Sequence, residues 1–291
     1  MFKRSSFIFL SMALILVSCS SRKSGFNTTD INAVLSEQER NQTLKKAELA
    51  WAKRDQKEQL EAAIADWEKL SHSVNGDQID ILTRLAQAYY LLGDAHEENI
   101  DVKKALFEKG AVFGEKAMST NNTFSKKIKD GDSVEKSLSS LERREIGAMY
   151  WTAANLGKWS KASGILEQLK YKTRIKALIE RVEKVDARFF YSAPSRYWGA
   201  FYSLAPSFAG GDLKKSLKYF EKSISEAPQY LGTKVLMADT YYIKTNDKTN
   251  FKKILEEVLA TSDEIEKDLI PENRLEKKKA RKLLDKMDQI F

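Results

Sequence analysis

The chain has 291 residues, 31% of them charged, with 13 glycines, 4 prolines and a formal net charge of +8. Few breakers and many charges describe a helical, soluble composition. One cysteine excludes an intrachain disulfide, and two histidines leave no material for a His-bearing catalytic triad.

The chain opens with a basic head, Lys3 and Arg4, and an apolar run from Phe7 to Val17. That run is too short to span a bilayer as a mature helix. A basic head, a short apolar segment and a small residue at the cut read as a secretory signal over residues 1–18. The junction Leu16-Val17-Ser18-Cys19 resembles the bacterial lipobox. The resemblance implies acylation of Cys19, cleavage before it and a lipid anchor in a bacterial membrane on its periplasmic face, the outer membrane favoured by Ser20. Residues 19–37 then read as an acylated tether, with polar, flexible Ser20 to Thr29. Without Lys3 and Arg4 the charge falls to +6. Export argues against a nucleic-acid partner for this basic balance.

From Gln38 to Phe291 the residues predict one all-α domain. Strand alternation is nearly absent, and small and large residues recur at the spacing of tetratricopeptide-like helical hairpins. Ala63, Trp67 and Leu70 fit a second helix of a pair; Leu82, Leu85, Ala86 and Tyr89 fit a first helix. Gly110, Gly114 and Ala117 hold the spacing of that helix's partner, which starts late. Thr120 to Ser140, rich in Asn, Ser, Asp and Gly, reads as an extended loop between two halves.

Beyond it, Ala148 to Leu166 reads as another helical pair with an irregular second member. Ser216, Phe220, Ser223 and Pro228 reproduce the second-helix spacing. Val235, Ala238 and Tyr242, then Phe251, Leu255 and Val258, form a further pair, with Asp247, Thr249 and Asn250 making the turn and cap. Ala280, Leu283, Leu284, Met287 and Phe291 share one face of a last helix, opposite a solvated face of Arg274, Lys278, Arg281 and Lys282. The whole predicts an array of about four or five degenerate helix pairs.

Certain segments are more particular. Met149 to Trp159 (MYWTAANLGKW), Arg196 to Ile224 (RYWGAFYSLAPSFAGGDLKKSLKYFEKSI), Asn250 to Leu259 and Glu272 to Phe291 follow in that order. This series resembles the T-component lipoproteins associated with TRAP transporters. The resemblance implies an all-helical periplasmic protein that works beside a TRAP-type solute-binding protein, binds a small organic or hydrophobic ligand and forms homo-oligomers with an internal cavity. Ser216 and Ser223 stand where alanine is common in the family, which predicts slightly looser packing.

Two constellations are candidates for function. Tyr150, Trp151, Trp159, Tyr197, Trp198, Phe201, Tyr202 and Phe208 would line an apolar ligand cavity or fill the repeat core. Gly210, Gly211 and Asp212 would form a ligand-facing loop or a helix turn capped by Asp212. The second reading is favoured, because Asp212 occupies the place an anion would take. His72 and His96 lie in polar, loop-like stretches without metal spacing, and no phosphate-cradling glycine loop occurs. No cofactor, metal or catalytic residue is expected. Two functions stay open: an accessory lipoprotein helping a solute-binding protein capture or transfer a ligand, and a tetratricopeptide scaffold for envelope or cell-wall assembly.

Overall fold

The computed structural model describes residues 22–26, 34–73 and 78–291. Cys19 and the signal segment lie outside the described residues. All regular elements within them are helical.

Five antiparallel helix pairs follow one another. They are α1 (Glu37–Trp51) with α2 (Lys57–Ser71), and α3 (Gln78–Leu91) with α4 (Ile100–Ser119). Two short helices, α5 (Asn122–Lys129) and α6 (Val134–Ser137), lead to α7 (Ile146–Ser163) and α8 (Ile165–Val185). Then come α9 (Phe189–Leu204) with α10 (Leu213–Glu226), and α11 (Gly232–Met237) with α12 (Lys248–Ala260). Helix α13 (Ile270–Asp285) and the terminal turn α14 (Met287–Ile290) close the chain. The array of about four or five pairs is therefore present, as five among the described residues.

The pairs form because each second helix buries a stripe at i, i+3, i+4, i+7 spacing. In α2 that stripe is Leu60, Ala63, Ile64, Trp67 and Leu70. In α12 it is Phe251, Ile254, Leu255 and Val258, behind an Asp247 cap that accepts from the Asn250 N–H at 3.0 Å. Glycine permits the closest crossing. A Cβ at Gly114 would stand 2.1 Å from the Thr152 hydroxyl, and one at Gly110 would stand 2.3 Å from Asn155 Oδ1. These two glycines let α4 lie directly on α7.

Four expectations change. Thr120 to Ser140 is not an extended loop: α5 and α6 occupy it, anchored by buried Phe124, Val134 and Leu138. The irregular second member expected before Leu166 is instead the end of α7. Gly164, at φ +99°, turns the chain there into the regular 21-residue α8. The flexible tether is docked over Arg22 to Phe26. There the Arg22 guanidinium pairs with buried Glu115, the Gly25 N–H donates to Glu115 Oε2 at 2.7 Å, and Phe26 packs on Phe124. Finally, Ser216 and Ser223 do not loosen α10. Ser216 Oγ donates to the Gly199 carbonyl at 2.7 Å and Ser223 Oγ to the Ser192 carbonyl at 3.2 Å, so both hydroxyls tie α10 to α9.

Two hydrophobic clusters result. One runs from Phe26 through Trp198; the other gathers Phe220, Leu231, Val235, Phe251, Leu255 and Ala280. Polar groups join α13 of the second to the N-terminal pairs: Arg54 with Glu272, Asp94 with Lys279 and Glu98 with Lys282. Helix α13 keeps the predicted division of faces. Ala280 is buried, Leu283, Leu284, Met287 and Phe291 pack beside it, and Arg274, Lys278, Arg281 and Lys282 are exposed.

Candidate functional site

Two adjoining cavities lie where the clusters meet, of about 350 and about 340 Å3. Both are of a size that holds small organic ligands. They share six lining residues: Tyr90, Tyr150, Lys158, Arg196, Leu236 and Asp239.

The first cavity is charged. Asp94 comes from a π-helical turn, Leu92–His96, that ends α3, and Asp239 from a second one, Ala238–Tyr242, that ends α11. Each wide turn swings an aspartate toward the lining, as such bulges often do at functional places. Asp94 Oδ1 meets Lys158 Nζ at 2.5 Å and its Oδ2 meets Lys279 Nζ at 2.5 Å. Burial alone would raise the Asp94 carboxyl, but the two ammonium groups outweigh it and hold it well below the usual carboxylate range. Burial would lower Lys279; Asp94 and Glu276 outweigh that and raise it. The Tyr90 phenol is driven well up, chiefly by burial and then by Asp94.

This sets a pH dependence. A depressed folded-state value means that Asp94 contributes stability above its unfolded value of about 3.9. That contribution declines as pH falls from there toward the folded value. The expected result is that wild-type protein loses more stability than Asp94→Asn between about pH 4 and pH 2, while both hold steady from pH 7 to pH 5 as far as this group is concerned. Urea unfolding of both proteins along that pH series checks it; parallel curves would contradict it.

The second cavity is largely apolar. Ile165, Leu169, Ile175 and Ile179 of α8 face Tyr197, Phe201 and Leu204 of α9 across Ala153, Ala154 and Gly157 of α7. Gly157 has open space where a Cβ would stand.

At the junction the backbone is unusual. Phe190, Tyr191 and Ser192 take left-handed conformations, φ 43°, 57° and 57°. Each such non-glycine residue costs roughly 1–2 kcal/mol. Arg196 holds the turn, donating to the Tyr191 carbonyl at 2.9 Å and the Phe190 carbonyl at 3.3 Å. Ser192 Oγ donates to the Glu226 carboxylate. Held this way, Phe190 lines the first cavity beside Trp151.

Of the eight aromatic candidates, Tyr150, Trp151, Tyr197 and Phe201 line the cavities. Trp159 is packed edge-on against Tyr171 inside the first cluster. Trp198 is buried there too, its indole N–H donating to Glu183 at 3.0 Å. Tyr202 stacks on Tyr219 and meets Phe201 edge-on, but does not itself line either cavity. Phe208 is 90% exposed.

The Gly210-Gly211-Asp212 segment is a helix turn. Gly210 is left-handed at φ +99°, and a Cβ at Gly211 would stand 1.9 Å from the Ala205 carbonyl oxygen. Asp212 caps α10, accepting from the Lys215 N–H at 3.0 Å, and that backbone bond lowers its carboxyl. His96 Nε2 lies 3.0 Å from the Arg54 carbonyl oxygen, and no metal-binding cluster occurs among the described residues.

Tyr90, Asp94, Lys158, Arg196, Tyr230 and Lys279 were not singled out by sequence reasoning. Only Arg196, at the head of a particular motif, and the Pro194 that follows the left-handed turn gave any local signal.

The family model for the TRAP transporter T-component matches residues 87–291, which hold the whole lining of both cavities. The chain belongs to the TRAP transporter T-component family. A comparison with curated proteins finds no match. Membership makes this T component an accessory part of a TRAP transport system, working in the periplasm or at the membrane. No helix among the described residues is long and apolar enough to cross a membrane.

Proposed function

We propose that this T component is anchored through an acylated Cys19, docks a periplasmic solute-binding protein and captures or hands over a small organic ligand through the joined cavities. The observation that carries the reading is the mouth of the second cavity. Ile165, Leu169 and Leu204 line it and are more than half exposed; Leu166, 79% exposed, follows the lining Ile165 in the chain, and Phe208, 90% exposed, precedes the lining Ala209. Large apolar side chains gathered in solvent mark an interaction surface. Here they rim an opening that leads inward to Arg196 and Tyr150. Lys161 and Lys172 on the same rim would favour an acidic partner face.

The test is association with the solute-binding subunit of the same TRAP system. Leu166→Asp with Phe208→Asp should weaken co-purification at least tenfold and leave the melting temperature near that of wild type, since both side chains are solvated. Undiminished association of the double variant would overturn the docking surface.

A further inference from the structure

We propose that the Arg196 guanidinium is the receptor for the carboxylate of an amphipathic ligand, with its apolar tail in the second cavity. The inference deepens the reading that the cavities hold ligand, and rests on it.

Arg196 is 6% exposed and lines both cavities. Its four hydrogen-bond acceptors are all neutral: the Tyr191 and Phe190 carbonyls, the Thr233 hydroxyl at 3.4 Å and the Tyr150 hydroxyl at 3.3 Å. The Tyr230 ring lies 4.3 Å from its guanidinium carbon. Among the described residues its Nε–H has no acceptor and no carboxylate pairs with it. Buried charges are normally paired. The contrast within the molecule is direct: buried Arg22 pairs with Glu115 and buried Arg54 with Glu272.

Of the four acids lining the first cavity, three are engaged by basic side chains. Asp94 is bound by Lys158 and Lys279, Glu276 by Lys279 and Glu272 by Arg54. Asp239 is exposed to solvent. The junction therefore presents a buried cation whose natural complement is missing from the chain itself.

A carboxylate fits that complement. It accepts from a planar guanidinium in a charge-assisted bond of about twice the neutral strength. From the junction, the aliphatic wall of Ile165, Leu169, Ile175, Ile179 and Leu204 offers a tail an apolar path. A neutral analogue of the same shape leaves the guanidinium unanswered, and a site built this way discriminates strongly against it. A short acid lacks the tail that removes apolar surface from water.

Calorimetric titration of the purified full-length protein with hexanoate, 1-hexanol and acetate tests this. Hexanoate should bind at least tenfold more tightly than either of the others. Arg196→Gln should bring hexanoate and 1-hexanol to within threefold of each other, and Arg196→Lys should keep part of the preference. Arg196 also holds the left-handed turn, so the wild-type comparison of hexanoate with 1-hexanol stands as a separate test. Gly157→Trp, which places an indole where a Cβ meets nothing, should abolish hexanoate binding at an unchanged melting temperature. Equal wild-type affinity for hexanoate and 1-hexanol would overturn the proposal. So would a preference that survives Arg196→Gln, or hexanoate binding that survives Gly157→Trp, which would put the acid on the exposed apolar rim. Failure of hexanoate with co-purification of the solute-binding subunit intact would sink this inference and leave the docking reading in place.

Discussion

Phe220→Ala lowers the stability of this T component by about 3–5 kcal/mol, the range for truncating a fully buried aromatic ring. Phe220 has no exposed surface and belongs to the second hydrophobic cluster. Its ring fills the groove left by Gly199, where a Cβ would stand 2.8 Å away. The vacated space cannot collapse easily. Ser216 fixes α10 to the Gly199 carbonyl on one side of the ring, and Ser223 fixes it to the Ser192 carbonyl on the other. A cavity held open in this way takes the upper part of the range. Urea unfolding should show a lower midpoint with an unchanged slope, because the surface exposed on unfolding is the same. Phe220→Leu should lose clearly less. A loss below about 1 kcal/mol for Phe220→Ala would mean that α9 and α10 close on each other without the ring, contrary to this packing.

Glu272→Ala has an effect of similar size by a different route. Arg54 donates from Nε to Glu272 Oε1 at 2.7 Å and from Nη2 to the Asp268 carbonyl at 2.6 Å, while its guanidinium lies 4.6 Å from the Trp51 ring centre. Both side chains of the ion pair are 9% exposed. Removing the carboxylate leaves Arg54 buried and uncompensated, which costs about 3–5 kcal/mol. The loss falls on the joint between the N-terminal pairs and α13, where polar groups carry the attachment. Glu272→Ala should therefore loosen the first cavity before the chain unfolds as a whole. Hydrogen exchange should speed up in α13 while α7 and α8 stay protected. Glu272→Gln, which keeps an acceptor, should lose less. Uniform exchange across the chain would contradict the idea that this pair closes the array.

The fold was legible because pairing of these helices follows from spacing alone. Ala63 with Trp67, Ser216 with Phe220, and Phe251 with Leu255 place small or large groups where a neighbouring helix must meet them, and each of these residues is buried. Caps were readable for the same local reason, as Asp212 and Asp247 show. The site was legible only in part. Tyr150, Trp151, Tyr197 and Phe201 line the cavities, but a large ring at a repeat position reads the same whether it faces a void or a neighbour. Trp198 and Trp159 turned out to face neighbours.

What the sequence hid depends on distant partners. The Arg22–Glu115 pair spans 93 positions and turns part of a polar tether into a docked segment. Asp94 meets Lys279 across 185 positions. The left-handed turn at Phe190–Ser192 is stabilised from Ser223 and Glu226, 31 and 34 positions beyond Ser192, as well as from nearby Arg196. Burial of an arginine without an acid is likewise a property of the assembled cavity and of no short stretch.

The joined cavities are the working part of this account, and plugging them tests it most directly. Gly157 sits mid-helix on the wall of the second cavity with open space before it, so a side chain there both favours the helix and fills the void. Uptake of the transport system's own solute is measured in cells whose only T component carries Gly157→Trp or Gly157→Ala. Gly157→Trp should fall to the level of a T-component deletion, with association to the solute-binding protein retained, while Gly157→Ala should transport like wild type. Wild-type uptake by Gly157→Trp would contradict it.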